Sequence, residues 1–110
     1  MNGWTVETLN GLVDRELAAL PDDMRAHLVR ITELIEAHGL PNVGRPHVRP
    51  IDRKLWEIRL KGREGIARAL YVTARGKRVV IVRAFVKKTA KTPAAEIALA
   101  KARAKEIDDD

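Results

Sequence analysis

The sequence predicts an α+β protein in which a small, mainly antiparallel sheet packs against helices. Two observations predict this class. Apolar residues recur at helical spacing near both ends of the chain, and three β-type segments separated by short turns fill its middle. A length of 110 residues suits one hydrophobic core, so residues 1–110 are expected to form a single domain with the element order β-α-α-β-β-β-α.

The first part of the chain predicts a short strand followed by two helices. Residues 5–9 are rich in β-forming side chains, and Asn10 is suited to cap the helix that follows. Pro21 ends that helix and begins a second one, which stops at Gly39. The apolar faces of the two helices are Leu12, Val13, Leu17 and Leu20, then Met24, Leu28, Ile31 and Ile35.

The remainder predicts a loop, a three-strand meander and a last helix. Residues 40–50 hold three prolines and are expected to form a loop. Strands are predicted over 55–60, 66–73 and 78–86, with the last one central because it is apolar on both faces. Thr92 as N-cap and Pro93 at the first helical position begin the last helix, whose apolar face is Ile97, Ala100, Ala104 and Ile107.

Composition excludes several kinds of chemistry. The chain has no Cys and no Ser, which excludes disulfides, thiolate zinc sites and a Ser-His-Asp triad. It has no Gly-rich phosphate loop, and its three histidines are not at metal-ligand spacing, so no metal or cofactor is predicted. No apolar run is long enough to span a bilayer and the N-terminus is unlike a signal peptide, so a cytoplasmic protein is expected.

Positive charge is concentrated in the middle of the chain. Residues 1–44 carry a net charge of −4, residues 45–91 carry +12 and residues 92–110 carry −2. A basic block between acidic flanks predicts a surface patch for a polyanionic partner, although a solvated Lys/Arg face is the simpler alternative. Because aromatic residues make up only 4% of the chain, single-strand binding by base stacking is disfavoured.

Several cations lie where a structural role does not fully explain them. Arg59 and Arg68 fall inside predicted strands. Arg83 follows the apolar run 79–82, where it either pairs with Glu57 or another acid or clamps an anion through its planar guanidinium. At the exit of that strand and in the basic loop lie further candidates for anion binding: Lys87, Lys88, Lys91, Arg49 and His47.

Three segments carry a resemblance to a known family. They are Leu-Trp-Glu-Ile-Arg at 55–59, Arg-Ala-Leu-Tyr-Val at 68–72 and Phe-Val-Lys-Lys-Thr-Ala-Lys-Thr-Pro-Ala-Ala-Glu-Ile at 85–97, with Ala-Lys-Ala-Arg at 100–103. This pattern resembles the phage-derived Gp49-like, HigB-type branch of the RelE/ParE toxin superfamily. The resemblance covers nearly the whole chain, and the run Lys-Lys-Thr-x-Lys-Thr-Pro is its most specific part.

The resemblance implies a RelE-like fold and a type II toxin neutralised by a cognate helix-turn-helix, HigA-like antitoxin. Such toxins cleave messenger RNA on the ribosome, using the 2′-hydroxyl of the RNA as nucleophile and no metal. Its partners would be that antitoxin, the ribosome and mRNA, with no membrane. The chain departs from the family at Ala84, where a His is frequent.

That chemistry needs positive charge at the phosphate, a base and an acid. Arg59, Arg68 and Arg83 are expected to supply the charge, and Lys87 or Lys88 the base, since a lysine among cations has a lowered pKa. Tyr71 or His47 is the expected proton donor. The RNA-binding residues are expected to be His47, Lys88, Lys91 and Arg49.

Two other functions are compatible with the sequence. One is a ParE-like toxin that is not a nuclease and binds a protein target such as gyrase. The other is a plain nucleic-acid-binding module, which would bind RNA or DNA in a salt-sensitive way and cleave nothing.

Overall fold

Five strands form one sheet in a computed structural model that describes residues 3–44, 47–88 and 91–107. The strand order is β1-β5-β4-β3-β2, with β1 parallel to β5 and every other neighbouring pair antiparallel. The strands are β1 (Thr5–Thr8), β2 (Val48–Pro50), β3 (Trp56–Gly62), β4 (Gly65–Ala74) and β5 (Arg78–Lys87).

Three helices pack against this sheet: α1 (Gly11–Ala18), α2 (Asp22–His38) and α3 (Ala94–Ala104). The first begins where predicted, because the Asn10 side chain accepts a hydrogen bond from the Val13 backbone N–H at 3.1 Å. The second ends at Gly39, whose φ of 87° lies in the left-handed region that glycine adopts without strain.

The helices cover both faces of the sheet, with α1 and α2 on one face and α3 on the other. The helical-pair face packs against α1 and α2, with Val13, Met24 and Ile31 fully buried against it. The α3 face packs against Ala100, with partly buried support from Ile97. Side chains on the helical-pair face are Ile58, Leu60, Ala67, Ala69, Tyr71, Val79, Ile81 and Ala84, and those packed on α3 are Leu55, Leu70, Val80 and Val82.

A bulge interrupts the pairing of the two central strands. Leu70 lies opposite Arg83 and Tyr71 lies opposite Ile81, so Val82 is an extra residue on β5. The extra residue shifts the alternation along β5 by one position. As a result Val82 packs with α3 and the adjacent Arg83 also reaches an acid on that helix.

Beyond the end of β1, side chains take over the hydrogen bonding of the β5 edge. Pairing with β1 stops at Ile81 among the described residues. The Ala84 N–H then donates to the Glu16 carboxylate at 3.2 Å, and the Val82 carbonyl accepts from Arg103 at 2.9 Å. Because these two side chains also contact each other at 2.8 Å, α1 and α3 are joined across the strand edge.

The predicted α+β class and the antiparallel meander are confirmed, and two local predictions are wrong. The segment 40–50 contains a 3-10 turn (Leu40–Asn42) and the short strand β2, although its prolines predict a loop. Pro50 is tolerated there because β2 is at the sheet edge. The N-cap of α3 is Pro93 and not Thr92, because the Thr92 hydroxyl donates instead to the buried Glu57 carboxylate at 2.7 Å.

None of the helices in the described part of the chain combines the length and the apolarity needed to cross a membrane.

Gly62 leaves little room for a side chain. A Cβ there would lie 2.7 Å from Asp23 Oδ1 and 2.8 Å from the buried Met24 Cγ. We therefore expect Gly62→Ala to lower the free energy of unfolding by about 1–3 kcal/mol in urea denaturation, since the contact overpacks the α2–β3 junction.

The matched control for this substitution is Gly11→Ala, because nothing lies within 4 Å of a Cβ at that first position of α1. Alanine favours helix over glycine, so Gly11→Ala is expected to leave stability unchanged or to raise it. Equal stability of the two variants would contradict the close α2–β3 approach.

His27 connects α2 to β3 and has a lowered pKa. Its Nδ1 accepts the Lys61 backbone N–H at 2.9 Å, and its ring packs edge-on against His47 with centroids 6.0 Å apart. Burial lowers the pKa of His27, and the charges of His47, Lys61 and Arg30 lower it further. The folded chain therefore takes up this proton at lower pH than the unfolded chain does.

Stability is accordingly expected to fall as pH drops from about 7.5 to about 5, because the unfolded state binds the His27 proton first. In His27→Gln this fall should be smaller, as measured by urea denaturation at both pH values. His38→Gln, which removes the exposed histidine at the end of α2, is the control. An undiminished fall in His27→Gln would refute this origin of the pH dependence.

Candidate active site

Charged side chains lie together on the α3 face of the sheet, beside α3, because successive side chains of a strand point to opposite faces. Neighbours of these residues in sequence, such as Ile58, Ala67 and Ala69, lie in the helical-pair core, so the charged residues point the other way. The register places Arg49 opposite Glu57, and Arg59 directly opposite Arg68. We call the group Arg49, Glu57, Arg59, Arg68, Lys87 and Thr92 the cation cluster.

A buried carboxylate lies at the centre of the cation cluster. Glu57 has no solvent-exposed surface. It accepts a hydrogen bond from Arg49 Nε at 2.6 Å and another from the Thr92 hydroxyl at 2.7 Å. Arg68 Nε lies 3.3 Å away, within ion-pair distance but outside hydrogen-bond geometry, and Lys87 Nζ donates to Thr92 Oγ1 at 3.4 Å.

Two arginines of the cluster have buried nitrogens without hydrogen-bond partners. Arg68 is only 3% exposed, and its Nε and one terminal nitrogen are buried and unpaired, as is Nε of Arg59. Like charges directly opposite each other on a sheet are unfavourable, and so are buried donors left unsatisfied. The cluster therefore contains buried donors with no acceptor among the described residues.

The surroundings of the two innermost cations disfavour their charged forms. Burial is the main reason that the pKa of Arg68 is lowered, with smaller contributions from Arg59 and Arg49. Burial likewise lowers the pKa of the Lys87 ammonium, and Arg68 lowers it further. Glu57 opposes the lowering in both cases. The cluster thus holds four cations against one carboxylate, and the pKa of its lysine is lowered.

Arg83 lies on the same sheet face, but acids surround it. Its guanidinium contacts Glu96 through two hydrogen bonds of 2.6 and 3.0 Å, and Glu16 at 2.9 Å. It also lies 5.6 Å from the centre of the Phe85 ring. Hydrogen bonding to Glu96 raises the pKa of Arg83, which keeps it charged. The sequence leaves two roles open for Arg83, and the structure shows the pairing with acids.

Tyr71 and Ala84 face away from the cation cluster. Both belong to the helical-pair core, and Tyr71 is 1% exposed. Burial raises the pKa of the Tyr71 hydroxyl far above its usual range. The expectation that Tyr71 donates a proton in the site is corrected by this placement, since strand alternation puts Arg68 and Tyr71 on opposite faces. The departure from the family at Ala84 likewise removes nothing from the cluster.

Of the expected RNA-binding residues, Arg49 belongs to the cluster, and His47, Lys88 and Lys91 lie on neighbouring segments. The His47 carbonyl accepts the Arg59 backbone N–H at 2.9 Å, but its ring packs on His27 of α2 and not on the cluster. Lys88 and Lys91 are exposed between β5 and α3. Within the predicted basic loop and the Lys-rich motif, residues 45–46 and 89–90 lie outside the described residues.

The sequence does not predict Glu57 or Thr92 as site residues. It predicts Glu57 only as a partner for Arg83, and Thr92 only as a helix cap. A signal for Glu57 existed, because it is one of three acids among the residues of the +12 segment 45–91 and lies inside a strand. The signal for Thr92 was absent, since its contact with β3 spans 35 positions in sequence.

His, Asp and Glu side chains of the described residues nowhere form a group of three that could hold a metal ion.

The fold is similar to that of a solved toxin–antitoxin structure. The crystal structure of the archaeal RelE–RelB complex from Pyrococcus horikoshii OT3 contains a chain that aligns with a TM-score of 0.57 at 19% sequence identity. The alignment covers 80% of this chain and 99% of that one. At this identity the similarity establishes a RelE-like fold, as the sequence resemblance implied.

The comparison with protein families agrees with the sequence segments that resemble the Gp49-like branch. No curated protein matches the chain. The profile of the phage-derived Gp49-like proteins (DUF891) matches residues 15–105, which include β2 to β5, α2, α3 and the whole cation cluster. The chain therefore belongs to the phage-derived Gp49-like protein family.

Proposed function

We propose that the protein is the toxin of a type II toxin–antitoxin system and that it cleaves messenger RNA on the ribosome. The observation that carries this proposal is the directly opposed pair Arg59 and Arg68, with buried and unpaired guanidinium nitrogens beside a lysine of lowered pKa. Membership of the Gp49-like family and the RelE-like fold support the toxin assignment.

The proposed reaction uses the 2′-hydroxyl of the RNA as the nucleophile. Its oxygen attacks the adjacent phosphorus, a 2′,3′-cyclic phosphate forms, and the bond to the 5′-oxygen of the next nucleotide breaks. Negative charge increases on the phosphoryl oxygens as the pentacoordinate transition state forms. Arg59 and Arg68 would bind these oxygens, because planar guanidinium groups match phosphate geometry. Arg83 would act by holding α3 and not by contacting the phosphate.

Lys87 is the proposed base. A base must be neutral to accept the 2′-hydroxyl proton, and an ordinary lysine is almost fully protonated at neutral pH. Burial and the neighbouring Arg68 lower the pKa of Lys87, which increases its neutral fraction. Lys88 lies on the strand exit and is exposed, so it lacks the burial that lowers the pKa of Lys87.

His47 is the proposed acid for the leaving 5′-oxygen. Tyr71 is buried on the other face, whereas the His47 backbone borders Arg59. The His47 ring packs on His27 of α2 and would have to turn toward the α3 face to donate this proton. A histidine can donate a proton near neutral pH. The exposed Lys88 and Lys91, together with Arg49 at the open edge of the sheet, would bind the RNA backbone or ribosomal RNA.

The proposed partners are a cognate antitoxin of the helix-turn-helix, HigA-like type, the ribosome and its mRNA. The RelE chain of similar fold was crystallised with RelB, which supports an antitoxin partner for this chain. Action on ribosomes would require the cytoplasm. A gyrase-binding toxin gives no reason for unpaired arginines beside a lysine of lowered pKa. A plain nucleic-acid-binding module accounts for the arginines, which would bind phosphate, but not for the lowered pKa of Lys87.

Expression of the chain alone is expected to arrest growth, and co-expression of the helix-turn-helix protein encoded beside it should restore growth. The reason is the proposed toxin function, and the measurement is colony formation after induction. Unimpaired growth with abundant soluble protein would count against a toxin of any kind.

Ribosome-dependent cleavage should depend on the cation cluster. Arg68→Ala and Lys87→Ala are each expected to lower the cleavage rate about 100- to 1,000-fold, since each removes a group that acts on the transition state. Primer extension on mRNA from a purified translation system measures the effect. The controls are Arg75→Ala, which removes an exposed turn cation, and Tyr71→Phe, which removes a hydroxyl on the other face.

Three results would reject this mechanism: undiminished cleavage in both cluster variants, a loss in Tyr71→Phe as large as theirs, or cleavage of free RNA that a chelator abolishes. Growth arrest without any cleavage, together with inhibited gyrase, would favour the ParE-like alternative. Salt-sensitive binding with neither arrest nor cleavage would favour the plain binding module.

A further inference from the structure

The buried polar side chains of the described residues are all in one place. Glu57, Arg68, Lys87 and Thr92 are the charged or polar residues that this part of the chain buries, and each contacts another member of the set. Burying charge is unfavourable unless it is paired, so such a concentration needs a compensating group. Glu57 is the one carboxylate among the four.

Hydrogen-bond direction gives the set a defined order. The Thr92 hydroxyl has one proton, which it donates to Glu57 Oε1 at 2.7 Å. Only its oxygen lone pairs are then available on the other side, and they accept from Lys87 Nζ at 3.4 Å. A carboxylate on β3 is thereby linked to the lysine on β5 through the residue that precedes Pro93, the N-cap of α3.

We propose that Glu57 is a positioning residue that acts on Lys87 through Thr92. Its carboxylate orients the Thr92 hydroxyl, which holds the Lys87 amine beside Arg68, and its negative charge sets the pH at which that amine releases its proton. Glu57 itself does not contact the substrate, because it has no exposed surface. The effect of Glu57 on catalysis rests on the proposed function, whereas its effect on Lys87 does not.

The charges that act on Lys87 come from three strands. Arg68 on β4, Arg59 on β3 and Arg49 on β2 each lower the pKa of Lys87, and Glu57 on β3 raises it. Thr92 adds an uncharged hydrogen-bond acceptor from the segment before α3. Glu57 is thus the one negative group among the described residues that acts on this lysine. Removing its charge should therefore lower the pKa of Lys87.

Neutralising Glu57 should lower the pKa of Lys87 further. Glu57→Gln keeps an acceptor for Thr92 and removes the charge, so we expect the pKa of Lys87 to fall by about one unit. NMR titration of the lysine side-chain signals in the free protein measures this directly, with the Lys87 signal assigned by its loss in Lys87→Arg. If Lys87 is the base, the limb of the cleavage-rate profile that depends on its loss of a proton should move to lower pH by the same amount.

Thr92 provides a second test that does not depend on how well Glu57→Gln folds. Thr92→Val keeps the side-chain shape and removes the hydroxyl that links Lys87 to Glu57, so it too should lower the pKa of Lys87. Thr92→Ser retains a hydroxyl and should keep the wild-type value. Glu64→Gln, which neutralises an exposed acid in the β3–β4 turn, is the charge control.

An unchanged Lys87 pKa in folded Glu57→Gln, or in Thr92→Val if the first variant does not fold, would overturn the proposal and leave Glu57 with a structural role only. A lowered Lys87 pKa would support it even if the protein cleaves no RNA, because the titration needs no substrate. Failure of the proposed function would appear separately, as wild-type protein that neither arrests growth nor cleaves mRNA.

Discussion

The buried charge of Glu57 is the constraint on which the cation cluster depends. Without a carboxylate at that point, Arg49, Arg68 and Lys87 would be brought together with nothing to offset their repulsion. Glu57 offsets only part of it, and buried nitrogens of Arg59 and Arg68 stay without hydrogen-bond partners. Positive charge therefore exceeds negative charge among the described residues of this small area of the sheet.

The two sheet faces separate the apolar core from the cation cluster. The helical-pair face is apolar and closed by α1 and α2, and Tyr71 and Ala84 belong to it. The α3 face carries one helix, which leaves space beside it for charged side chains. Arg83 pairs with Glu16 and Glu96 and so joins α1 and α3. Arg68 lies at ion-pair distance from Glu57 but keeps two buried nitrogens without hydrogen-bond partners. Counting arginines alone does not distinguish the two.

Much of the fold was predictable because it is encoded locally. The Asn10 cap, Gly39 and the short turns of the meander act within a few residues, and their predictions are confirmed. The strand β2, the N-cap of α3 and the ion pairs of Arg83 were not predictable in this way, because they depend on contacts with distant segments. Alternation could place Arg59 and Arg68 on one face, but the bulge on β5 and the partner of Thr92 required the structure.

The most direct test of the account is where the scissile phosphate lies. The measurement is a structure of the protein on a ribosome whose A-site codon carries 2′-O-methyl groups, which block attack by the 2′-oxygen. The account predicts that the phosphate between the reacting nucleotides contacts the guanidinium groups of Arg59 and Arg68, with Lys87 beside the methylated oxygen. A phosphate held elsewhere, with the cation cluster empty or facing solvent, would contradict it.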